Sequence, residues 1–316
     1  MRELTWRPLT RDDAQASADL LNAIEVVDQI GENYTAEDTL TELVDPSADL
    51  ERASLCAFDG DVMVGYMKVR HKPSASVVHR VIVDGGVHPS YRRRGIGSRL
   101  LEAGIAAAQV VHALHHPGLQ LVVEMLKAEK IAGLSELASS LGFAPVRYYQ
   151  RMEHPLDSLP RVAEDLRIEA WTAENDEDFR FVRNEAYADY WGTAPMPADL
   201  WQNKITNQTF RPAASFLLRD GGGAPVSVLV TMHWEADTSY TGIRDAHFMV
   251  IGTRPSYRQQ GFASALIGYA LAAVAVQGYD RASLSVESAA EAPRFFEKAG
   301  FEPKMRYVRW ALPTSH

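Results

Sequence analysis

Arginine and glycine recur together in two stretches whose spacing suits the binding of a phosphate group. The first runs from Arg92 to Gly97 (RRRGIG) and the second from Arg258 to Ala263 (RQQGFA). Each follows a segment rich in β-branched residues and precedes one with helical apolar spacing. The first N–H groups of a helix attract anions, and glycine lacks the Cβ that would keep a ligand away from the backbone. The spacing therefore predicts two phosphate-binding turns.

The two turns belong to an internal repeat that must position them. Residues 89–101 return as residues 255–267, and the signature at 141–145 (LGFAP) returns at 299–303 (AGFEP). Strand, strand, glycine turn, helix, strand, helix and strand follow in this order in both halves, which predicts two copies of one mixed α/β (α+β) domain. Pro155–Pro160 is the best linker, so we predict domains at 1–158 and 159–316.

The apolar patterns predict the elements of each half. The predicted strands span 62–69, 77–87 and 119–126 in the first half and 226–232, 247–253 and 282–287 in the second. The predicted helices span 96–110 and 130–141 in the first half and 262–276 and 289–299 in the second.

Composition excludes several classes of function. The 316 residues carry 32 Lys and Arg against 41 Asp and Glu, a net charge of −9 that argues against a nucleic-acid partner. The single cysteine, Cys56, excludes an internal disulfide and fits a reducing compartment. The first residues lack the apolar segment of a secretory signal, and the longest apolar run, Ala263–Val276, is too short to span a bilayer. We expect a cytoplasmic protein with no membrane partner.

The glycine turns also carry a resemblance. Val87–Gly97 (VHPSYRRRGIG) resembles the acyl-CoA pyrophosphate loop of the GNAT superfamily of N-acetyltransferases, and Leu141–Phe143 resembles its closing helix-to-strand signature. Since the second half repeats both, the chain is identified as a tandem GNAT, similar to the mycothiol synthase-like two-domain group. The resemblance implies two twisted mixed sheets flanked by helices, each splayed between its two central strands, and acetyl-CoA as the cofactor.

The resemblance assigns cofactor binding to the two loops and their flanks. The implied residues are Val87, Arg92, Arg93, Arg94, Gly95, Ile96, Gly97 and Ser98 in the first half, and Thr253, Arg258, Gln259, Gln260, Gly261, Phe262, Ala263 and Ser264 in the second.

Acyl transfer to an amine needs a base for the amine and an acid for the leaving thiolate. The resemblance implies a base on the strand before the loop, where the second half has His247 and the first has Asp84. It implies an acidic Tyr before the final Gly-Phe, where the halves have Ala138 and Phe296 instead. Ala289 replaces the usual Asn, and Glu287 is a third catalytic candidate. The structural alternatives are a core histidine for His247, an Asp-Gly turn for Asp84 and a solvated strand end for Glu287.

The acceptor side is predicted from residues that cover this region in such folds. Glu32, Tyr187, Tyr190 and Trp191 are the candidate substrate-binding residues, although the aromatic spacing also fits core packing. The group His112, His115 and His116 has no nearby Cys or Asp, so no metal is expected.

Three functions fit these patterns. The first is an acetyl-CoA-dependent N-acetyltransferase acting on a small amine, such as an antibiotic, an amino sugar or a metabolite. The second is an acyl-CoA-binding pseudoenzyme or interaction module, because both halves lack the tyrosine. The third is a protein lysine or N-terminal acetyltransferase. We predict cofactor binding in the first half and chemistry in the second, in a monomer or a homodimer.

Overall fold

The computed structural model describes residues 3–45, 49–71, 75, 77–160, 166–288 and 292–313. The chain forms two compact units. Unit 1 comprises Met1–Tyr148 together with Arg306–His316, and unit 2 comprises Tyr149–Met305.

Unit 1 is built mainly from the first half of the chain. Its strands are β1 (Thr5–Arg7), β2 (Ser54–Asp59), β3 (Val62–His71), β4 (Val78–Val87) and β5 (Gln120–Ala128), with most of β12 (Glu302–Pro313). Its helices are α1 (Ala14–Asp28), α2 (Ala36–Leu43), α3 (Leu50–Ala53), α4 (Ile96–His115) and α5 (Leu134–Ser140).

Unit 2 repeats this arrangement with the second half. Its strands are β7 (Arg167–Ala170), β8 (Phe216–Arg219), β9 (Pro225–Met232), β10 (Asp245–Thr253) and β11 (Arg281–Glu287), with part of β6 (Ala144–His154). Its helices are α6 (Asp176–Ala186), α7 (Ala198–Ile205), α8 (Glu235–Thr241), α9 (Phe262–Val276) and α10 (Ala292–Lys298).

Each unit contains a mixed sheet with the same strand pattern. The order is β1-β2-β3-β4-β5-β12 in unit 1 and β7-β8-β9-β10-β11-β6 in unit 2. Only the central pairs β4–β5 and β10–β11 are parallel among the pairs described within each unit. The predicted fold class, two GNAT-like mixed sheets with flanking helices, is confirmed.

The outer strand beside each parallel pair comes from the other half of the chain. In unit 1, β12 pairs with β5, from Tyr307 opposite Ala128 to Pro313 opposite Val122. In unit 2, β6 pairs with β11, with Tyr149 opposite Glu287. The sequence predicts one division near residue 158, whereas the compact units exchange these strands.

The two strands of each central parallel pair diverge after a few paired residues, and the point where they diverge is called the fork. The β4–β5 register runs from Val78 opposite Gln120 to Ile82 opposite Glu124, and both strands then continue. The β10–β11 register ends at His247 opposite Ser283. This splay leaves a gap at the carboxyl end of each pair, beside the glycine turn.

The cores hold these elements in place. In unit 1 the apolar face of α4 packs on the central strands, with Val83 and Leu100 buried in one cluster. Gly104 of α4 is required by this packing, because a Cβ there would lie 2.6 Å from a methyl carbon of Val83. In unit 2, α9 occupies the equivalent place, with Leu266 and Leu271 fully buried.

The structure differs from the predicted elements mainly at helix ends. Helix α4 extends to His115, beyond the predicted residue 110. Helix α5 begins only at Leu134, because Gly133 has a left-handed φ of 77° at its N-cap. Residues 289–291 of the last predicted helix lie outside the described residues. The predicted apolar helix 262–276 is confirmed as α9.

Among the described residues, none of the helices combines the length and the apolar character needed to cross a bilayer.

Candidate functional site

The two glycine turns have the same backbone conformation. Each begins with a short 3-10 turn, Pro89–Tyr91 or Pro255–Tyr257. Arg93 then has a φ of 61° and Gly95 of 81°, and the second turn repeats these values at Gln259 (62°) and Gly261 (87°). A left-handed non-glycine residue is uncommon, and finding it twice indicates a shape the loop requires.

The turns leave helix N-termini ready for an anion. Gly95 and Gly261 are the N-caps of α4 and α9, and neither helix has a side-chain cap. The first N–H groups of these helices have no intrahelical acceptor, so they are donors for a ligand at the positive end of the helix dipole. A Cβ added at Gly95 or Gly261 would meet no atom within 4 Å, so space lies beside both turns. This geometry fits a diphosphate.

Unit 1 has a cavity of about 720 Å³ that joins the turn to the gap between β4 and β5. Six of the eight predicted cofactor residues of this half line it, and so do two predicted chemical residues: Val87, Arg92, Arg93, Gly95, Gly97, Ser98, Asp84 and Glu32. The splayed ends of both strands form its walls. The structure thus places the phosphate-type turn and candidate acid–base groups in one space.

Some arginines of the first turn build the loop. Arg92 makes a two-pronged ion pair with Asp28 of α1, at 2.7 Å to each oxygen, and its Nε donates to the Val87 carbonyl. Arg94 lies over the Tyr91 ring. Ile96 is buried in the core. Arg92 therefore fixes α1 to the turn, and Arg93 is the loop arginine whose cationic end is better placed for a ligand.

Asp84 stands at the fork between β4 and β5. Its carboxylate accepts a hydrogen bond from Lys127 Nζ at 2.6 Å and lies 4.0 Å from Arg70. Burial raises the pKa of Asp84, but Lys127 and the nearby arginine outweigh this effect and hold it well below the usual range. Asp84 is therefore an anion at neutral pH and a weak base. It also accepts from the N–H of Gly85.

A second carboxylate faces the same cavity from the segment after α1. Glu32 accepts a hydrogen bond from the Tyr34 hydroxyl at 3.0 Å. Burial, followed by the negative charge of Glu32, raises the pKa of Tyr34 well above its usual value, so the hydroxyl keeps its proton. Asn22 holds this segment by bonding both the N–H and the carbonyl of Tyr34. The hydrogen bond from the Tyr34 hydroxyl therefore holds the Glu32 carboxylate in position.

Several residues of this cavity were not predicted from the sequence. Lys127 and Tyr34 contact the predicted carboxylates, and Glu42, which lines the cavity, pairs with buried Lys68 at 2.5 Å. A signal existed for Lys127: it lies at the carboxyl end of a strand parallel to β4, where open sheets place ligands. Tyr34 gave no such signal, because its contact with Glu32 depends on the conformation of the turn at Gly31.

In unit 2 the predicted loop residues contact both the loop itself and the neighbouring elements α6 and β9. Arg258 donates to the carbonyls of Thr253 and Ala186. The hydroxyls of Thr253 and Ser227 are 2.7 Å apart, and Gln260 donates to the Ser256 carbonyl. The remaining predicted residues lie on the turn and the first turn of α9: Gln259, Gly261, Phe262, Ala263 and Ser264.

His247 lies at the fork of unit 2, as Asp84 does in unit 1. Its Nδ1 is 2.8 Å from the hydroxyl of Ser283, which donates to Asp245 at 2.9 Å. Arg151 pairs with the same carboxylate at 3.0 Å. Burial lowers the pKa of His247 to about 4, against the opposing pull of Asp245, so its imidazole is neutral at pH 7.

The other predicted residues of unit 2 also meet. Glu287 is buried at the end of β11 and forms a hydrogen bond with Tyr190, whose pKa rises through burial and nearby acidic groups. The Tyr187 hydroxyl donates to the Ile251 carbonyl at 3.0 Å, and its ring lies against Gly252. Trp191 lies in the turn that follows. Tyr187 therefore braces β10.

The positions of the expected tyrosine acid are packed into the cores. Ala138 is fully buried in unit 1, and Phe296 is buried in unit 2 against Phe301. Neither side chain can donate a proton. Ala289 lies outside the described residues.

Each half of the chain matches a known family model. Residues 21–120 match the family model described as "Acetyltransferase (GNAT) family", and residues 214–303 match the model "Acetyltransferase (GNAT) domain". Each match contains one glycine turn and its helix.

Curated relatives extend over most of the chain. The mycothiol acetyltransferase of Thermobispora bispora is 27% identical over 275 residues, covering 83% of this chain and 82% of that protein. The mycothiol acetyltransferase of Salinispora arenicola is 28% identical, covering 97% and 94%.

Solved structures share the fold. A GCN5-related N-acetyltransferase from Sphaerobacter thermophilus superposes with a TM-score of 0.77 at 23% identity, covering 98% of this chain and 95% of that one. A tandem GNAT protein from the clavulanic acid biosynthesis pathway gives 0.69 at 16% identity, covering 99% of both. With a family match in each half, the splayed sheets and the paired glycine turns, this chain belongs to the GNAT family as a tandem acyltransferase whose cofactor is acetyl-CoA.

Proposed function

We propose that this protein acetylates the amine of a small molecule and that the cavity of unit 1 binds both the cofactor and the acceptor. The observation that carries the proposal is that one space of about 720 Å³ contains the diphosphate-type turn, the gap between β4 and β5, and the carboxylates Glu32 and Asp84. The volume lies within the range of small-ligand sites.

The residues present fit acetyl-CoA. The N–H groups at the start of α4 and the Arg93 guanidinium, which lies against Gly133, would hold the diphosphate. The walls of the gap between the strands, which include Val87 of β4 and Met125 of β5, would hold the pantetheine arm. When bound, acetyl-CoA supplies a thioester-linked acetyl group.

The acceptor end of the cavity contains charges of both signs. Glu32, Glu42 and Asp84 line it together with Lys127 and Arg70, and Asp84 stays ionised beside Lys127. An ammonium ion gains charge-assisted hydrogen bonds from such carboxylates. We assign Asp84 to holding the acceptor and orienting Lys127, since its lowered pKa makes it a weak proton acceptor.

We assign the proton transfer to Glu32. An amine must lose a proton to become a nucleophile, and a positioned carboxylate takes it directly or through water. The Tyr34 hydroxyl donates to the Glu32 carboxylate and so holds it in position on the wall of the cavity. The cationic Nζ of Lys127 lies near the fork, where it would stabilise the negative charge that develops during acetyl transfer.

The relatives support a small acceptor. Both curated relatives described above are named mycothiol acetyltransferase, and this name supports a small-molecule acceptor for the present chain. His247 and Phe296 stand where the resemblance implies other residues, so we favour a different amine, such as an antibiotic, an amino sugar or a metabolite.

A second candidate is acyl-CoA binding without transfer. The absence of a hydroxyl at both Ala138 and Phe296, each buried in its core, favours this function. Release of free CoA in the presence of amines separates the two candidates, because a binding module releases none.

A matched pair of loop variants tests which unit is used. Gly97 and Ala263 are equivalent second residues of α4 and α9. We expect Gly97→Phe, whose side chain would fill the turn, to abolish acetyl-CoA binding in calorimetry and CoA release with an amine panel. Ala263→Phe should retain both. The reverse result would move the reaction to unit 2, and release of CoA by neither the parent protein nor the variants would contradict the transferase proposal.

A further inference from the structure

Five histidines of unit 1 converge at the end of the sheet opposite the glycine turn. His71 ends β3, His79 lies near the start of β4, and His112, His115 and His116 lie at the end of α4. Sequence inspection finds only the three on the helix, because pairing of β3 with β4 is needed to bring the other two under it.

The register explains the convergence. His71 is opposite Val81, a core residue beneath α4. Side chains alternate along a strand, so His79, two residues before Val81, lies on the same face. Helix α4 ends above this face, and the last carbonyls of a helix favour a cation there.

Three of these rings are spaced as metal ligands. His71, His79 and His116 each offer one nitrogen, and the three nitrogens lie within 4.8 Å of one another. His71 Nδ1 and His79 Nε2 are 3.3 Å apart. Tetrahedral Zn²⁺ with Zn–N bonds of about 2.0–2.1 Å places two ligand nitrogens about 3.3–3.4 Å apart. The strand pair therefore already has the required separation.

A second contact would fix the ring of His79. Its Nδ1 lies 3.0 Å from His112 Nδ1. A metal ion on Nε2 leaves the Nδ1 proton of His79 to be donated to His112, and metal-binding histidines commonly donate their second N–H in this way. His112 would then orient a ligand without binding the metal.

The burial of these rings suits a metal site. His79 is fully buried and His116 half-buried, so the group is largely shielded from bulk water.

The surroundings are open on one side and acidic. A cavity of about 710 Å³ is lined by His71 and His115 together with three acidic residues and one basic residue: Asp45, Asp49, Glu51 and Arg11. Negative charge beside the group favours a cation, and the cavity gives an ion a path to it.

We propose that His71, His79 and His116 form a binding site for a divalent transition-metal ion of the zinc class, with His112 as the positioning residue for His79. The three-histidine set leaves one coordination position for water or for a group from the adjoining cavity. Nitrogen ligands exclude Mg²⁺ and Ca²⁺, which require oxygen donors.

Cobalt titration tests the site on the full chain after removal of any purification tag and chelation of bound metal. We expect one equivalent of Co²⁺ to give the visible absorption of a low-coordinate nitrogen site, Zn²⁺ to displace it, and Zn²⁺ to raise the melting temperature. His116→Gln, on the partly exposed helix end, should weaken binding by at least about 100-fold, and His112→Gln by about 10- to 100-fold. His71→Gln is the second ligand variant if His116→Gln does not fold.

The matched control is His88→Gln, at the far end of β4, which should bind Co²⁺ as the parent protein does. The proposal is overturned if the parent protein shows neither the cobalt spectrum nor the thermal shift. It is also overturned if His116→Gln and His71→Gln bind as tightly as His88→Gln.

Discussion

At the scale of single residues, the two units place different groups at equivalent forks. Unit 1 has an ionised Asp84 paired with Lys127, whereas unit 2 has a neutral His247 bonded to Ser283. Lys127 and Arg70 offset the charge of Asp84, but Glu32 and Glu42 add two further carboxylates to the same cavity. These carboxylates support unit 1 as the place where a cationic amine is held.

The first prediction concerns the proton acceptor. Glu32→Gln keeps the size of the side chain and removes the charge, so we expect kcat to fall by about 10²- to 10⁴-fold, the usual contribution of a general base. Acetyl-CoA affinity should change little. Steady-state kinetics with the best amine and calorimetry with acetyl-CoA give the two readings.

His247→Gln provides the comparison in unit 2, and Glu37→Gln on the exposed side of α2 controls for loss of surface charge. Both should keep the parent kcat. A strong loss in His247→Gln with a normal Glu32→Gln would instead support the prediction that chemistry lies in the second half.

The sequence indicated several residues that line the cavity of unit 1. The glycine turn was chosen from residue types and spacing, whereas Asp84 and Glu32 were chosen from the family resemblance. Lys127 was missed because its partner Asp84 lies 43 residues away in sequence, and Tyr34 was missed because the sequence does not show that its hydroxyl turns toward the nearby Glu32. Arg92 makes a contact that its sequence position did not indicate, a two-pronged ion pair with Asp28.

At the scale of elements, β12 is essential to the sheet of unit 1. Val308 and Trp310 are buried in its core, and Arg309 joins Arg80 on the buried carboxylate of Glu124. The central parallel pair therefore depends on a strand more than 170 residues away in sequence.

The second prediction is that Trp310→Ala lowers the unfolding free energy of unit 1. Its indole is 7% exposed, and truncation of a buried tryptophan costs about 3–5 kcal/mol. Hydrogen exchange followed by mass spectrometry should show faster exchange in β5. Val146→Ala, a truncation at an exposed position, is the control, and equal exchange in both variants would contradict the assignment of β12 to this core.

Helices and strands that follow the glycine turns were predicted well, because long apolar patterns determine them. The strand exchange was not, since the halves have the same pattern and either last strand fits either sheet by local criteria. Helix α5 was predicted too long because the left-handed Gly133 delays its start.

At the scale of the whole molecule, both units contain partly or fully buried histidines that are neutral at pH 7. The folded pKa is about 4 for His71 and His247 and about 3 for His79, below the unperturbed value of 6.5. Between about pH 4 and 6.5 the unfolded chain therefore binds more protons than the folded chain, and stability falls as pH falls through this window.

The third prediction is a loss of stability of the whole chain at low pH. Each such histidine contributes a slope of up to about 1.4 kcal/mol per pH unit, so melting temperature should drop clearly from about pH 7 to about pH 5 in the presence of a chelator. His247→Gln should show a smaller drop than the parent protein. An identical drop, with His88→Gln also unchanged, would show that His247 does not take up a proton on unfolding.

The exchanged strand also sets an order of events during biosynthesis. A ribosome makes the residues of unit 1 up to Tyr148 first, but the strand that covers β5 is made only when Arg306–Pro313 emerges. Unit 1 therefore cannot be completed before the second half has been translated, although N-terminal domains generally fold first. Until then β5 lacks its β12 partner, so a stalled or shortened message yields a protein in which the proposed acetyl-CoA cavity lacks Tyr307 and Arg309 from its wall.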